Sequence, residues 1–305
     1  AFLYGSRAYV NTPGTGLELK IDPATSPLFP SLSWNRQVTL AVINDAGDMA
    51  VVIAYRVTGG DYWHIVRLPV SGSPDIVASS GDIAPRAGGR TFSSRPNRVV
   101  MNGAGTVGFD NTLSGTPRMT GLFKKDPGGS VTAVVLDGDS ALGGTISGLS
   151  SFRLYGDGSV YYEAGLDGAS ADFATFLAGG TTTTVLTTSA DQLPAGSQTV
   201  GRNLWIAASG NYAGFGAFRA GAPPALFAYD VVAGTTTRVV GDGDVITGIG
   251  RLSGLDGYWV DVSANGTVIF AAYIDGSAFQ ALFARTPGAG GTVQRLVGPG
   301  DSIPG

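Results

Sequence analysis

The sequence predicts an all-β protein built from tandem repeats, and two observations lead to that prediction. The first is composition: the 305 residues include 48 Gly and 16 Pro, and the segments between them are short runs of Val, Thr, Phe, Tyr and Ile without a helical period. The second is a set of three markers that recurs every 52 to 58 residues. With 43% hydrophobic and 14% charged residues, the chain lacks the composition of a disordered segment.

The three markers keep the same order in every repeat. The first is a Gly that ends a tight turn, the second is a Gly in the following loop, and the third is an Asp that usually follows Gly. The turn glycines are Gly47, Gly105, Gly158, Gly210 and Gly266, the loop glycines are Gly59, Gly115, Gly168, Gly221 and Gly276, and the aspartates are Asp82, Asp139, Asp191, Asp244 and Asp301. A fixed period of this length is the signature of a repeat architecture.

Each repeat contains four short apolar runs separated by Gly-rich turns, which predicts four antiparallel strands. In the third copy the runs cover 151–155, 159–164, 173–177 and 181–188. Four such strands match one blade of a β-propeller. We name the strands a to d from the centre outward, so that the b–c loops and the d–a crossovers share one rim.

The repeats divide the chain into one domain, 1–305, with a partial blade at its start. Residues 1–22 align with a c–d hairpin, and Asp22 is a sixth anchor aspartate. We therefore predict six blades, the sixth being completed by chain beyond residue 305, by another segment or by another subunit. A closed ring of five blades with residues 1–22 as added outer strands is the alternative. The five full repeats cover about 23–82, 83–139, 140–191, 192–244 and 245–301.

Three segments resemble repeats of bacterial exported tandem-repeat β-propeller proteins, which often carry C-terminal sorting anchors. They are Asn102 to Phe109, Gly138 to Thr145 and Gly298 to Gly305. The resemblance covers essentially the whole chain and implies an extracellular or cell-surface location on a bacterium. That family is largely uncharacterised, so the resemblance supplies no catalytic residues.

Charge and residue usage exclude several function classes. The net charge is −4 and the only lysines are Lys20, Lys124 and Lys125, so the basic stripe of a nucleic-acid binder is absent. We interpret Lys124 and Lys125 as a solvated c–d turn. The absence of Cys excludes disulfides, thiolate metal sites and Cys nucleophiles. No apolar run in this segment is long enough to span a membrane.

The recurring aspartates have a structural and a functional interpretation. Because they occupy the same position in every copy, we expect their carboxylates to accept backbone N–H groups in the crossover. The alternative is a structural calcium site, since oxygen-rich loops suit hard cations. The pairs Asp137 with Asp139 and Asp242 with Asp244 are the candidates for such a site, and no other cofactor is expected.

The candidate binding residues lie on the b–c side of the blades. Asp61, Trp63 and His64 stand together in the first repeat, whereas Asp167 and Asp275 fall in b–c loops of later repeats. An indole offers a flat face to a sugar ring, although packing between blades is the alternative interpretation. The same alternative holds for the remaining tryptophans, which are Trp34, Trp205 and Trp259.

Catalytic chemistry has weaker support in the sequence. The single His64 cannot supply a zinc site, and a catalytic triad built on it lacks any nucleophile-elbow motif. The two glutamates, Glu18 and Glu163, fall on different kinds of strand, so we do not expect them to face each other as a glycosidase pair. No catalytic residue is assigned.

We predict a secreted or cell-surface scaffold or recognition propeller that binds a glycan or protein partner through its loop rim without catalysis. One alternative is a polysaccharide-acting hydrolase or lyase that uses rim carboxylates. The other is a structural subunit of an extracellular assembly, because the open strand edges of an incomplete blade permit self-assembly.

Overall fold

The structure is a computed structural model that describes residues 2–4, 7–12, 16–22, 25, 34–179, 182–188, 192–193, 197–198, 206–209, 211–219, 222–255, 260–286, 288 and 290–302. These residues form 28 β-strands, which confirms the all-β class, and they include no helix that could cross a membrane. The chain divides into two compact units. The first holds residues 1–139 and 156–158, and the second holds residues 140–155 and 159–305.

The first unit begins with a three-stranded antiparallel sheet in which β2 lies between β1 and β3. Its strands are β1 (Phe2–Tyr4), β2 (Arg7–Thr12) and β3 (Gly16–Ile21). The hairpin expected within residues 1–22 is therefore present as β2 and β3. β1 is an additional strand that pairs with β2 on the side away from β3.

Two four-stranded sheets complete the first unit, and in each of them sequence neighbours pair as antiparallel hairpins. They correspond to strands a to d of the first two predicted repeats. The second sheet contains β4 (Trp34–Ile43), β5 (Met49–Val57), β6 (Gly60–Leu68) and β7 (Asp75–Ser79), and the third contains β8 (Val99–Met101), β9 (Val107–Leu113), β10 (Met119–Lys125) and β11 (Val131–Leu136).

The second unit repeats the four-strand pattern three times and adds short strands in the crossovers. The third repeat has β12 (Ser140–Ala141), β13 (Gly144–Leu154), β14 (Val160–Asp167), β15 (Phe173–Gly179) and β16 (Thr182–Thr188). The fourth has β17 (Gln192–Leu193), β18 (Ser197–Gln198), β19 (Ile206–Ser209), β20 (Tyr212–Arg219), β21 (Ala222–Asp230) and β22 (Thr235–Gly241). The fifth has β23 (Val245–Ile246), β24 (Gly250–Ser253), β25 (Val260–Val262), β26 (Val268–Ile274), β27 (Gln280–Arg285) and β28 (Val293–Val297).

Aromatic rings form the centre of the largest core cluster in the first unit. Phe92, Phe109 and Phe123 are each at most 2% exposed, with ring centroids 4.9 to 5.6 Å apart. Trp63 joins them through Phe92, at a centroid distance of 6.2 Å. Such edge-to-face and offset pairs stabilise a core beyond the area that they bury.

The turn glycines adopt the backbone conformation that the marker pattern requires. Gly47, Gly105, Gly158 and Gly266 have φ between 80° and 89°, a region that other residues rarely enter. At Gly266 a Cβ would also lie 2.9 Å from the ring of Tyr212. The fourth-repeat markers Gly210, Gly221 and Asp191 lie outside the described residues.

The a–b turns of the first unit are joined to one another by asparagine side chains. Asn44 Nδ2 donates to the carbonyl oxygen of Asn102 at 3.0 Å, and Asn102 Nδ2 donates to that of Gly156 at 3.4 Å. The Oδ1 atoms of the same two residues accept from Asp48 N and Thr106 N at 2.9 Å. Asn44 and Asn102, which lie three residues before the turn glycines, therefore each close their own turn and bind the next one.

Cationic side chains of strand c add further bonds between repeats of the first unit. Arg67 Nη1 and Lys124 Nζ each donate to the carbonyl of the next turn glycine, at 3.1 and 2.6 Å. Lys125 Nζ donates to Asp75 Oδ1 at 2.9 Å and its side chain is only 12% exposed. The prediction of a solvated Lys124-Lys125 turn is wrong, because both residues end β10 and their ammonium groups are bound by carbonyl and carboxylate oxygens.

Candidate functional site

The anchor aspartates end strand d in the same way in four repeats. One carboxylate oxygen of each accepts the backbone N–H of the residue three positions earlier, at 2.7 to 2.9 Å. The aspartates concerned are Asp82, Asp139, Asp244 and Asp301. These aspartates therefore have the structural role expected of them, since each carboxylate fixes the turn that starts the crossover.

Most of these carboxylates also form an ion pair with an arginine. Asp139 accepts from Arg86 at 2.8 Å, and Asp244 accepts from Arg238 at 2.7 Å. Partial burial opposes ionisation of Asp244, but the bonds from Arg238 and from the Gly241 N–H keep its pKa below the ordinary value. The arginine and the backbone therefore occupy the oxygens that a cation would need.

The other member of each aspartate pair, Asp137 or Asp242, has a carboxylate oxygen without a hydrogen-bond partner. Asp137 Oδ2 accepts from Thr120 N at 2.6 Å, whereas the Oδ1 atoms of Asp137 and Asp242 are buried without a hydrogen-bond partner. Burial raises the pKa of Asp137. The part of the chain that the structure describes contains no group of three or more acidic or His side chains that could hold a metal. Calcium binding at these pairs stays a prediction.

The crossovers form short hairpins that present aliphatic side chains. Ile83 bridges Thr91 after the first anchor aspartate, and β12–β13, β17–β18 and β23–β24 pair in the equivalent crossovers. Ile83, Leu142 and Val245 lie in these hairpins with 72%, 42% and 68% of their surface exposed. Each of these crossovers therefore carries an aliphatic group that no neighbouring segment covers in the described part of its own unit.

The first-repeat candidates are divided between the core and the surface. Trp63 is 3% exposed and packs on Phe92. Its indole is therefore part of the core, and its face does not reach solvent. Asp61 is on the surface, where Arg56 binds both of its carboxylate oxygens at 2.5 and 2.9 Å and lowers its pKa. Trp34 begins β4, and Trp205 and Trp259 lie outside the described residues.

The single histidine lies half-buried on β6 in a chain of hydrogen bonds. His64 Nε2 is 2.9 Å from Tyr55 Oη, and Nδ1 is 2.8 Å from Ser79 Oγ. Burial lowers the pKa of His64, and the Asp82 carboxylate opposes that shift only in part. The imidazole is therefore held neutral between two hydroxyl groups.

This arrangement predicts a pH dependence of stability. Because the folded-state pKa of His64 lies below the unfolded value of 6.5, the unfolded chain binds the proton first and stability falls as pH drops below about 6.5. The slope is at most about 1.4 kcal/mol per pH unit. Urea titrations from pH 8 to pH 5 should show this fall in stability for the wild type. They should not show it for His64→Gln, since the chain has no other His. An unchanged slope in His64→Gln would assign the effect to carboxylates.

A cavity lies at the b–c end of the third repeat, and we call it the rim cavity. It has a volume of about 520 Å³, and its lining includes Ser147, Ser150, Asp167, Asp172 and Phe173. Two register shifts in β13, one on each side of Gly148 and Leu149, interrupt the ladder there. A bulge bends its strand and redirects side chains, so polar groups of β13, of β14 and of the b–c loop surround one space.

Two further features shape this rim cavity. At Gly165, which also lines it, a Cβ would stand 3.1 Å from Ser147 Oγ, so the glycine keeps the space open. Behind the wall, Glu163 is 1% exposed and its Oε1 accepts from Ser150 Oγ at 2.5 Å. A buried carboxylate therefore orients a hydroxyl group of the cavity.

The structure brings one predicted site residue, Asp167, to this cavity. Asp275 is exposed instead on the fifth repeat, with its carboxylate 3.6 Å from Arg251 Nε. Sequence reasoning missed Ser150 and Asp172, and it considered Glu163 only as half of a glycosidase pair, because a Ser-rich strand gives no signal of the bulges in β13.

Comparison with known proteins identifies a family. The model of a family of unknown function (DUF7453) matches residues 19–171, half of the chain. The chain belongs to this family. No curated protein sequence matches it.

Solved structures similar to this chain indicate its fold and do not indicate its function. A prolyl endopeptidase matches with a TM-score of 0.52 and 13% identity, over 96% of this chain and 39% of its own. A puromycin hydrolase matches with a TM-score of 0.51 and 12% identity, over 97% of this chain and 42% of its own. This chain thus spans less than half the length of either. The described residues therefore form an all-β fold with propeller-like structural neighbours, while blade number and ring closure stay predictions.

Proposed function

We propose that this protein is an exported recognition module that binds a glycan at the rim cavity of the third repeat. The cavity carries the proposal, because hydroxyl groups, carboxylates and an aromatic ring line one space of about 520 Å³. Hydroxyls and carboxylates bond sugar hydroxyl groups, and a ring such as Phe173 packs on a sugar face. Export is supported by the resemblance of the repeats.

A glycan-array screen tests this proposal, run with and without calcium. We expect one class of glycan to bind the wild type, and Asp167→Asn with Asp172→Asn to weaken binding about tenfold or more. Asp275→Asn is the matched control, since Asp275 holds a similar loop position but does not line the cavity. A blank array, or equal losses in the control, would contradict the proposal and favour a protein partner or a structural assembly.

A polysaccharide-acting enzyme is the second candidate, and one observation favours it. Glu163 accepts the hydrogen of Ser150 Oγ at 2.5 Å, beside two carboxylates that line the same cavity. A carboxylate that takes a hydroxyl proton is the arrangement of an activated nucleophile or a general base. Mass spectrometry of the bound glycan distinguishes the two: an enzyme yields shorter products that Ser150→Ala abolishes, whereas a binder leaves the glycan intact.

A further inference from the structure

A second cleft in the second unit contains a buried arginine. Arg285 ends β27 and is 9% exposed. In the described part of the chain its guanidinium makes one hydrogen bond, to the Gly288 carbonyl oxygen at 3.4 Å, and pairs with no carboxylate within 4 Å. A guanidinium has five N–H donors, so most of its bonding capacity is directed at the cleft.

Strand register explains why this arginine lacks a partner. Arg285 pairs with Val268 as Lys125 pairs with Val107, so the two cations hold equivalent positions in their repeats. Lys125 binds the carboxylate of Asp75 on the preceding repeat. The preceding repeat for Arg285 offers Thr237 at the position of Asp75, because Thr237 pairs with Ala228 as Asp75 pairs with Arg67, one pair beyond the same register shift. The counter-charge has been replaced by a hydroxyl group.

The surrounding charges make the cleft favourable for an anion. Arg238 lies near Arg285, and burial together with this like charge lowers the pKa of Arg285. Asp230 also lines the cleft, but its carboxylate lies more than 4 Å from the guanidinium, and its Oδ1 accepts the N–H groups of Val232 and Ala233 at 2.9 and 3.0 Å. An uncompensated buried cation is costly for a fold, and a bound anion would remove that cost.

The lining of the cleft indicates what else the ligand carries. The cleft has a volume of about 310 Å³, near the lower limit for ligand pockets. Besides Arg285, its polar lining includes Tyr212, Thr235, Thr237 and Thr286. These hydroxyl groups suit a small ligand that is rich in hydroxyl groups itself.

We propose that this cleft, between the fourth and fifth repeats, binds an oxyanion carried by a hydroxyl-rich ligand of monosaccharide size, with Arg285 as the primary contact. A uronate supplies the oxyanion as a carboxylate, and a sugar sulfate supplies it as a sulfate ester. The site lies at the a–b and c–d turn ends of the strands, away from the b–c end that holds the rim cavity. It therefore does not depend on the proposed function.

Calorimetric titration tests the proposal with glucuronate, glucose 6-sulfate, glucose and inorganic sulfate. We expect at least one of the two acidic sugars to bind the wild type at least tenfold more tightly than glucose or inorganic sulfate. The acidic sugar that binds more tightly shows whether the oxyanion is a carboxylate or a sulfate ester. Equal binding of glucose would overturn the oxyanion contact, and equal binding of inorganic sulfate would overturn the sugar ligand.

Variants separate a binding role from a structural one. Arg285→Met should reduce the affinity for the acidic sugar at least tenfold while raising the melting temperature of the ligand-free protein, because an unpaired buried charge is removed. A fall in that melting temperature, or retained affinity, would overturn the proposal. Arg251→Met, an exposed arginine of the same unit, is the matched control. Thr237→Val keeps the guanidinium and should weaken binding at unchanged stability.

Discussion

Phe109→Ala is expected to lower the free energy of unfolding by about 3–5 kcal/mol, the range for deleting a fully buried Phe. Phe109 is 0% exposed, and its ring centroid lies 5.5 Å from that of Phe92 and 5.6 Å from that of Phe123. The surrounding side chains are expected to relax only partly into the cavity. Urea denaturation followed by fluorescence measures the loss.

A surface phenylalanine provides the control for this variant. Phe279 is 69% exposed, and Phe279→Ala should change stability by less than about 0.5 kcal/mol. A loss below about 1 kcal/mol in Phe109→Ala would contradict the cluster as the centre of the first unit's core.

Arg67→Met is expected to cost about 2–3 kcal/mol, as for a buried hydrogen bond to a charged group. Arg67 is 8% exposed, and it bonds both Asp75 Oδ2 at 2.8 Å and the Gly105 carbonyl at 3.1 Å. The change leaves a carbonyl without its donor and Asp75 with a single cation, Lys125. Chemical denaturation at low and high salt measures the loss.

A second arginine–aspartate pair of the same sheet is the matched control. Arg56 and Asp61 pair across strands in equally good geometry, but their side chains are 51% and 71% exposed. Water and salt screen such a pair, so Arg56→Met should leave stability almost unchanged. Equal losses in the two variants would show that burial does not determine the contribution of the Arg67 pair.

The repeat markers could be predicted from the sequence because each one meets a local requirement. A turn that needs φ near 85° selects Gly at 47, 105, 158 and 266, and a strand end that needs an N–H acceptor selects Asp at 82, 139, 244 and 301. Such requirements recur with the repeat, so they appear as a period. The strand count per repeat follows from the same turns.

The candidate sites could not be predicted in the same way, because they depend on what differs between repeats. The rim cavity needs two bulges in β13 that no turn residue announces. The exposure of Trp63 depends on its neighbour Phe92, which is 29 positions later in the sequence. Arg285 is distinguished from Lys125 only by the residue that faces it on the preceding repeat, and strand register is needed to find that residue.

The side-chain bonds described above between consecutive a–b turns end on main-chain carbonyls. Asn44 reaches the carbonyl of Asn102, Asn102 reaches that of Gly156, and in the second unit Tyr155 Oη reaches that of Tyr212. Every residue type supplies such an acceptor, so the receiving repeat is free to change its side chains without losing the bond. Duplicated copies of the gene segment can therefore drift apart or be exchanged by recombination and still join. A newly duplicated repeat therefore keeps the bond to the preceding turn, while its rim residues can change under selection for new partners.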